Sequence, residues 1–237
     1  MDSETHQSTV TLRLQAPAQK IVAPTGVAAC ELSWELDPEP VDESLDQRVI
    51  DCLSEIFCAF GTFAFVSDMP HVNESFFQRI KARLWPVSSP IVQKGKNLYR
   101  RLHLPQVRSG TLWLVETAQA DVAQAFFRIK AWHYAHCQAG YLRDAGAPPL
   151  SLSDREIQEV IASDSWEAMQ RSLLASGSKA VCVPGHDGAW LKFVFLDAQA
   201  MHWFSEQLRI CCAAHQVVCV SLSPNPATVP RACGEVT

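Results

Sequence analysis

The spacing of apolar and polar residues predicts a chain in which strands and helices are interleaved. Residues 8–15 (STVTLRLQ) place apolar side chains at every second position, as a half-buried strand does. Residues 44–59 start at Ser44, a helix-capping residue, and repeat apolar side chains every three or four positions from Leu45 to Ile56, as an amphipathic helix does. The predicted strands are residues 8–15, 27–36, 61–66, 111–115, 179–183, 189–196 and 216–222. The predicted helices are residues 44–59, 73–84, 121–138, 153–175 with a break near 163–165, and 198–214.

Hairpins are expected at both ends of the chain, with strand–helix units between them. This order favours an α+β fold with a mixed or antiparallel sheet and amphipathic helices over a purely parallel sheet. Ferredoxin-like elements are the most economical arrangement of these units. We expect one compact domain over residues 1–237, with sub-halves at 8–140 and 150–222. Residues 85–110, rich in proline and glycine without a steady period, are predicted to be a long basic loop insertion, and residues 223–237 an irregular tail.

Composition indicates a folded protein that works away from membranes. Hydrophobic residues make up 48% of the 237 residues and charged residues 19%, which argues against disorder and supplies a core. The start, MDSETHQS, lacks the positive and apolar regions of a secretory signal. No apolar run approaches the roughly 20 residues that cross a bilayer as a helix. We therefore expect a cytoplasmic protein with no membrane partner.

Nine cysteines are present, an odd number with irregular spacing and no C-x-x-C pair. Most of them lie inside apolar stretches such as RVIDCLSEIFCAF. Disulfide frameworks belong to small secreted chains, whereas buried thiols in a reduced compartment act as small hydrophobic side chains. The second interpretation is the one that this sequence favours.

Charge is distributed unevenly along the chain. Residues 1–74 carry thirteen acids and three bases, a net charge of −10, whereas residues 75–115 carry eight Lys or Arg and no acid. We call residues 79–108 the basic segment. Phosphate backbones bind clusters of cations because counterions are released, and aromatic rings stack on unpaired bases. The predicted nucleic-acid-binding residues are Arg79, Lys81, Arg83, Lys94, Lys96, Tyr99, Arg100, Arg101, His103 and Arg108, with Trp85 as a second candidate for stacking.

These features predict a non-enzymatic subunit of a larger assembly that contacts RNA or single-stranded DNA. An α+β domain with a long basic insertion resembles, at the level of layout, the RNA-binding subunits of CRISPR effector complexes, although the glycine-rich C-terminal loop of their processing members is absent. The resemblance implies RNA as the ligand and other proteins as partners. The basic segment is also compatible with docking to an acidic protein or with an ordinary solvated surface. The main alternative function is a protein-binding inhibitor or immunity-type module that uses an acidic N-terminal face.

Two predicted helices each carry a histidine and a cysteine four residues apart, and residues with this spacing share a helix face. If the two helices lie side by side, the four side chains suit a tetrahedral Zn²⁺ site. The predicted ligands are His133, Cys137, Cys211 and His215. His136 and Cys212 are alternative ligands, and both helices also read as ordinary apolar faces. No cofactor is expected unless this zinc site exists, in which case the chain is a small zinc-binding protein or enzyme.

Enzymatic motifs are otherwise weak. The chain has no phosphate-binding loop, no dinucleotide-binding glycine pattern and no G-x-S-x-G elbow. Ser176 and Lys179 form an S-x-x-K pattern, but the glycine-rich stretch before a strand favours a plain turn. Asp68, Glu116 and Asp197 follow three predicted strands, where an acid more often caps the next helix than serves catalysis. The sequence therefore does not favour an enzyme.

Overall fold

The computed structural model describes residues 9–17, 26–37, 46–67, 83–86, 92–93, 106–107, 111–128, 138–163, 165–184 and 190–221. The strands are β1 (Thr9–Gln15), β2 (Ala28–Asp37), β3 (Thr62–Ser67), β4 (Arg83–Pro86), β5 (Val92–Gln93), β6 (Gln106–Val107), β7 (Thr111–Thr117), β8 (Gln138–Arg143), β9 (Ala180–Pro184), β10 (Trp190–Phe195) and β11 (Val218–Ser221). The helices are α1 (Gln47–Phe60), α2 (Ala120–Arg128), α3 (Asp154–Ser163), α4 (Trp166–Ser176) and α5 (Ala198–Ala214).

Nine of these strands form one mixed sheet in the order β11-β1-β2-β10-β9-β8-β3-β7-β4. Neighbouring strands pair antiparallel except β1 and β11, which pair parallel. Strands β5 and β6 pair antiparallel in a separate two-stranded sheet. The α+β class with a mixed sheet is thus confirmed.

Helices cover both faces of the large sheet. The first core contains buried side chains of α1, α2 and α5, and the second contains those of α3 and α4. Strand β10 shows why two cores form, since Leu191 and Phe193 enter the first and Val194 the second, as the two-residue period of a strand requires. The helices α1, α2 and α5 each connect two strands of the sheet that run in the same direction. Because such crossover connections are right-handed, all three helices lie on the same face of the sheet.

The first core is built around Phe57 of α1. Its ring centroid lies 5.1 Å from that of Phe127, 5.7 Å from that of Phe65 and 6.3 Å from that of Phe193. Edge-to-face and offset contacts of this kind add to the free energy gained by burying the rings. Because Phe57 lies on α1, Phe127 on α2 and the other two on β3 and β10, this cluster joins elements from both halves of the chain.

Capping residues explain where several helices begin. Ser153 and Glu156 form a capping box at α3, as the S-x-x-E pattern at the start of the predicted helix favours: the Ser153 hydroxyl and backbone N–H both donate to the Glu156 carboxylate at 2.8 and 2.7 Å. The predicted break between α3 and α4 is also confirmed, and Ser165 caps α4 by accepting from the Ala168 N–H at 3.1 Å. Helix α1 is capped by Asp46, two residues beyond the predicted Ser44. Asp46 Oδ1 accepts from the Arg48 backbone N–H at 2.8 Å.

Two predicted helix ends are wrong. The helix expected over residues 73–84 cannot include Leu84, which pairs with Trp113 in strand β4; residues 73–82 lie outside the described residues. The helix expected over 121–138 is described as α2 only to Arg128, and Gln138 opens strand β8, which the sequence analysis missed. The strand conformation of β8 depends on its pairing with β3 on one side and with β9 on the other. These are long-range contacts, so the sequence of β8 itself shows no alternation of apolar and polar residues.

Within the described ranges, no helix has the length and apolar character that a membrane crossing requires.

Candidate functional site

The basic segment lies almost entirely outside the described residues. Arg83 is the one predicted nucleic-acid-binding residue whose backbone is described, in the outermost strand β4, where it pairs with Leu114 of β7. The remaining predicted residues lie outside the described ranges: Arg79, Lys81, Lys94, Lys96, Tyr99, Arg100, Arg101, His103 and Arg108. Their assignment stays a prediction.

Seven cations elsewhere in the described fold lie within ion-pair distance of carboxylates. The Arg13 guanidinium lies 2.8 Å from the Glu35 carboxylate, and Arg155 and Arg171 both lie 2.9 Å from Glu159. Four further pairs have the same character: Arg48 with Asp46, Arg143 with Glu116, Lys179 with Asp144, and Arg209 with Glu206. The described surface therefore offers a polyanion few cations that are not already paired.

The predicted zinc ligands are only half described. His133 and Cys137 lie outside the described residues, and Cys211 and His215 lie at the end of α5. His215 Nε2 lies 2.8 Å from Glu55 Oε1 of α1, and burial raises the pKa of the Cys211 thiol, beside the same carboxylate, to about 11. In the part of the chain that the structure describes, no three such side chains are grouped to hold a metal ion. The zinc site stays a prediction.

The described cysteines behave as the sequence analysis expects. All seven are free thiols, and most are buried. Burial raises the pKa of Cys182 to about 12 and raises that of Cys30 as well, so both thiols are protonated at neutral pH. A protonated, buried thiol is a poor nucleophile and acts as a small apolar side chain.

Two of the three acids at strand ends have different roles. Asp197 caps α5, because its Oδ1 accepts the Ala200 N–H at 2.7 Å, as expected. Glu116 accepts from Arg143 Nη1 at 3.3 Å and from the Leu150 N–H, so its carboxylate contacts the end of β8 and the segment before α3. Asp68 lies outside the described residues.

The S-x-x-K pattern is a helix end and not a catalytic pair. The buried Ser176 hydroxyl donates to the Leu173 carbonyl at 3.0 Å, while Lys179 Nζ lies 3.5 Å from Asp144 Oδ2. Between them Gly177 ends α4 in the left-handed conformation at φ 61°, a position that favours glycine. The turn interpretation agrees with this geometry.

A cavity that the sequence analysis did not predict lies between the C-terminus of α1 and the N-terminus of α5. Its volume is about 280 Å³. The side chains that give it its character are Phe60, Asp144, Lys179, Asp197, Gln199 and Trp203. They come from the end of α1, the residue after β8, the residue before β9, the residue that caps α5, and the first two turns of α5. Only the strand-end acid Asp197 and the lysine of the S-x-x-K pattern were visible from local sequence.

The cavity combines an aromatic wall with charged groups. The ring centroids of Phe60 and Trp203 lie 4.6 Å apart at 75°, and both rings are partly exposed. Lys179 and Asp144 form an ion pair at 3.5 Å whose side chains are 43% and 70% exposed. Ion pairs this exposed are weak, because water screens them and holding them costs side-chain entropy. The cavity is thus polar on one side and aromatic on the other.

Comparison of the chain with protein-family models, curated proteins and solved structures finds no match. The fold and the cavity define a mixed-sheet α+β protein with helices on both sheet faces, and function has to be argued from its own residues.

Proposed function

We propose that this protein is a non-enzymatic subunit of a larger assembly that contacts RNA or single-stranded DNA through the basic segment. The observation that carries the proposal is the run of eight Lys or Arg without an acid over residues 75–115. A chain with overall net charge −5 has no general affinity for polyanions, so a local cluster has to supply it.

The described part of the fold supports this choice by elimination. Seven of its cations are paired with carboxylates, as in Arg13 with Glu35 and Arg48 with Asp46. The basic segment has no acid within it, so no neighbour in sequence neutralises its charge. Strand β4, which holds Arg83, is the last strand at one edge of the sheet, so the segment starts from a margin of the fold. The same proposal includes a ferredoxin-like arrangement of the strand–helix units, a cytoplasmic location and other proteins as partners.

Charge reversal tests the proposal directly. Fluorescence anisotropy would measure the affinity of the purified chain for labelled single-stranded RNA and DNA between 25 and 200 mM salt. We expect log affinity to fall linearly with log salt, with a slope of about −0.7 for each phosphate neutralised. The double variant R100E/R101E should weaken binding at least about tenfold at low salt, because four units of charge change in the cluster.

A matched control is available at the other end of the sheet. Arg13 of β1 and Arg209 of α5 are exposed and pair with Glu35 and Glu206, and β1 lies seven strands from β4. The double variant R13E/R209E changes the net charge by the same amount and should alter affinity less than about threefold, because screening limits distant charges. Equal losses in both variants, or binding that ignores salt, would refute the proposal. A single stoichiometric protein partner without co-purifying nucleic acid would favour the inhibitor or immunity-type alternative.

A further inference from the structure

We propose that the cavity between α1 and α5 binds a guanidinium group, either of a small molecule or of an arginine side chain. This inference uses no residue of the basic segment, so its outcome is independent of nucleic-acid binding.

The charge of the cavity sets the sign of its ligand. Asp144 and Asp197 face it against one cation, Lys179, which leaves a net charge of −1. The N-terminus of α5 adds partial positive charge. The C-terminus of α1, at Ala59 and Phe60, contributes partial negative charge of similar size and offsets it. A cation is therefore favoured over a phosphate or carboxylate.

Several polar side-chain atoms at the cavity are available to bind such a ligand. Asp197 uses Oδ1 to cap α5, and its other oxygen has no partner among the described residues. Asp144 offers one oxygen to Lys179 at 3.5 Å in an exposed pair that a competing cation can displace. The Gln199 carboxamide likewise has no hydrogen-bond partner within the described fold. Guanidinium presents five N–H donors and matches carboxylate oxygens in pairs.

The aromatic wall favours a flat cation over an ammonium ion. Phe60 and Trp203 are partly exposed at the cavity, and Trp is the best cation–π partner among the side chains. A guanidinium ion is planar, stacks on ring faces and is weakly hydrated, whereas an ammonium ion is compact and strongly hydrated. A volume of about 280 Å³ lies just below the range of drug-sized pockets and suits a head group of this size.

Binding would be measured by calorimetry or NMR titration with three probes on the full chain. The probes are N-acetyl-arginine amide, N-acetyl-lysine amide, and a neutral five-residue peptide with one central arginine. We expect saturable binding of the arginine probes, at least about fivefold tighter than the lysine probe. Equal affinity for the free and peptide arginine indicates recognition of the head group alone, whereas binding of the peptide only assigns the ligand to a partner's side chain.

Variants of the cavity carboxylates test the site. D197N keeps a good helix-capping oxygen at the start of α5 but removes the charge, so it should weaken the arginine probes about threefold or more. D144N should act in the same direction. E206Q is the matched control, because Glu206 lies on the same helix, pairs with Arg209 and does not line the cavity. It should change affinity less than twofold; a loss equal to that of D197N would overturn the proposal.

A substitution of Lys179 tests whether the cavity binds a cation or an anion. The variant K179Q removes the competing cation, so it should strengthen the arginine probes about twofold or more. The backbone hydrogen bonds of residue 179 with Leu142 and Leu196, each 2.8 Å long, do not involve the side chain and should remain in this variant. Inorganic phosphate is the opposing probe: saturable phosphate binding that K179Q abolishes would show an anion site and overturn the proposal. Absence of saturable arginine binding in the millimolar range would overturn it as well.

Discussion

The neighbours of Gly140 in β8 pack so closely that they leave no room for a side chain at this position. It pairs with Phe65 of β3 on one side and with Cys182 of β9 on the other. A Cβ added at Gly140 would stand 2.6 Å from Cys182 Sγ and 3.2 Å from Phe65 Cε1. Both partners are buried, at 0% and 1% exposure, so neither can swing into solvent. We expect G140A to strain the centre of the sheet.

The size of the effect follows from two opposing terms. Forcing an extra methyl group into a packed core costs about 1–3 kcal/mol. Replacing glycine also reduces the freedom of the unfolded chain, which stabilises by about 0.4–1 kcal/mol. The expected net loss for G140A is therefore about 1–2 kcal/mol in the free energy of unfolding. The variant C182A, which removes a buried sulfur atom, should cost about 1–2 kcal/mol by itself.

A double-mutant cycle separates this contact from general damage. In G140A/C182A the added methyl group enters the space that the sulfur atom leaves, so the double variant should be at least about 1 kcal/mol more stable than the sum of the single losses. The cycle would be measured by urea unfolding followed by tryptophan fluorescence. As control, C219A lies on β11, five strands from β8 and about 24 Å away at 4.8 Å per strand, and should add to G140A without coupling. Additive losses for G140A and C182A would refute the predicted clash.

Two further predictions concern ionised groups. Hydrogen bonds from the Arg48 side chain lower the pKa of Asp46, so the ionised carboxylate stabilises the folded state above the ordinary Asp pKa near 4, and this contribution is lost as pH falls through the lowered value. D46N keeps the helix cap, so between pH 5 and 3 it should lose less stability than the wild type, by up to about 1 kcal/mol; parallel losses in urea titrations would contradict this. At the pair of Arg143 and Glu116, whose side chains are 4% and 23% exposed, E116A should destabilise by about 3 kcal/mol and R143M by less, because only E116A strands a buried charge. Thermal unfolding that ranks R143M as the worse variant would contradict the second prediction.

The elements that the sequence predicted are those that depend on local pattern. Strand β1 and helix α5 carry clear periods of two and of three to four, and both are found within a residue of their predicted bounds. The caps at Ser153 and Asp197 involve hydrogen bonds between residues three apart, which local sequence also encodes. Strand β8 was missed because its sequence, QAGYLR, contains Gly140 and has no period of its own. Its strand conformation depends on ladders to β3 and β9.

The same distinction explains what could be inferred about function. A count of charges along the chain reveals the basic segment, because eight Lys or Arg occur over residues 75–115 with no acid among them. The same count gives residues 1–74 a net charge of −10. It cannot show that Glu35 of β2 pairs with Arg13 of the neighbouring strand β1, which partly neutralises the negative charge of this region. Nor can it show that Asp144 and Asp197, 53 positions apart, meet at one cavity beside Trp203. The sign and strength of a binding site depend on which charges the fold brings together, so the cationic ligand that we propose for this cavity could be inferred only from the positions of the ends of β8 and β10.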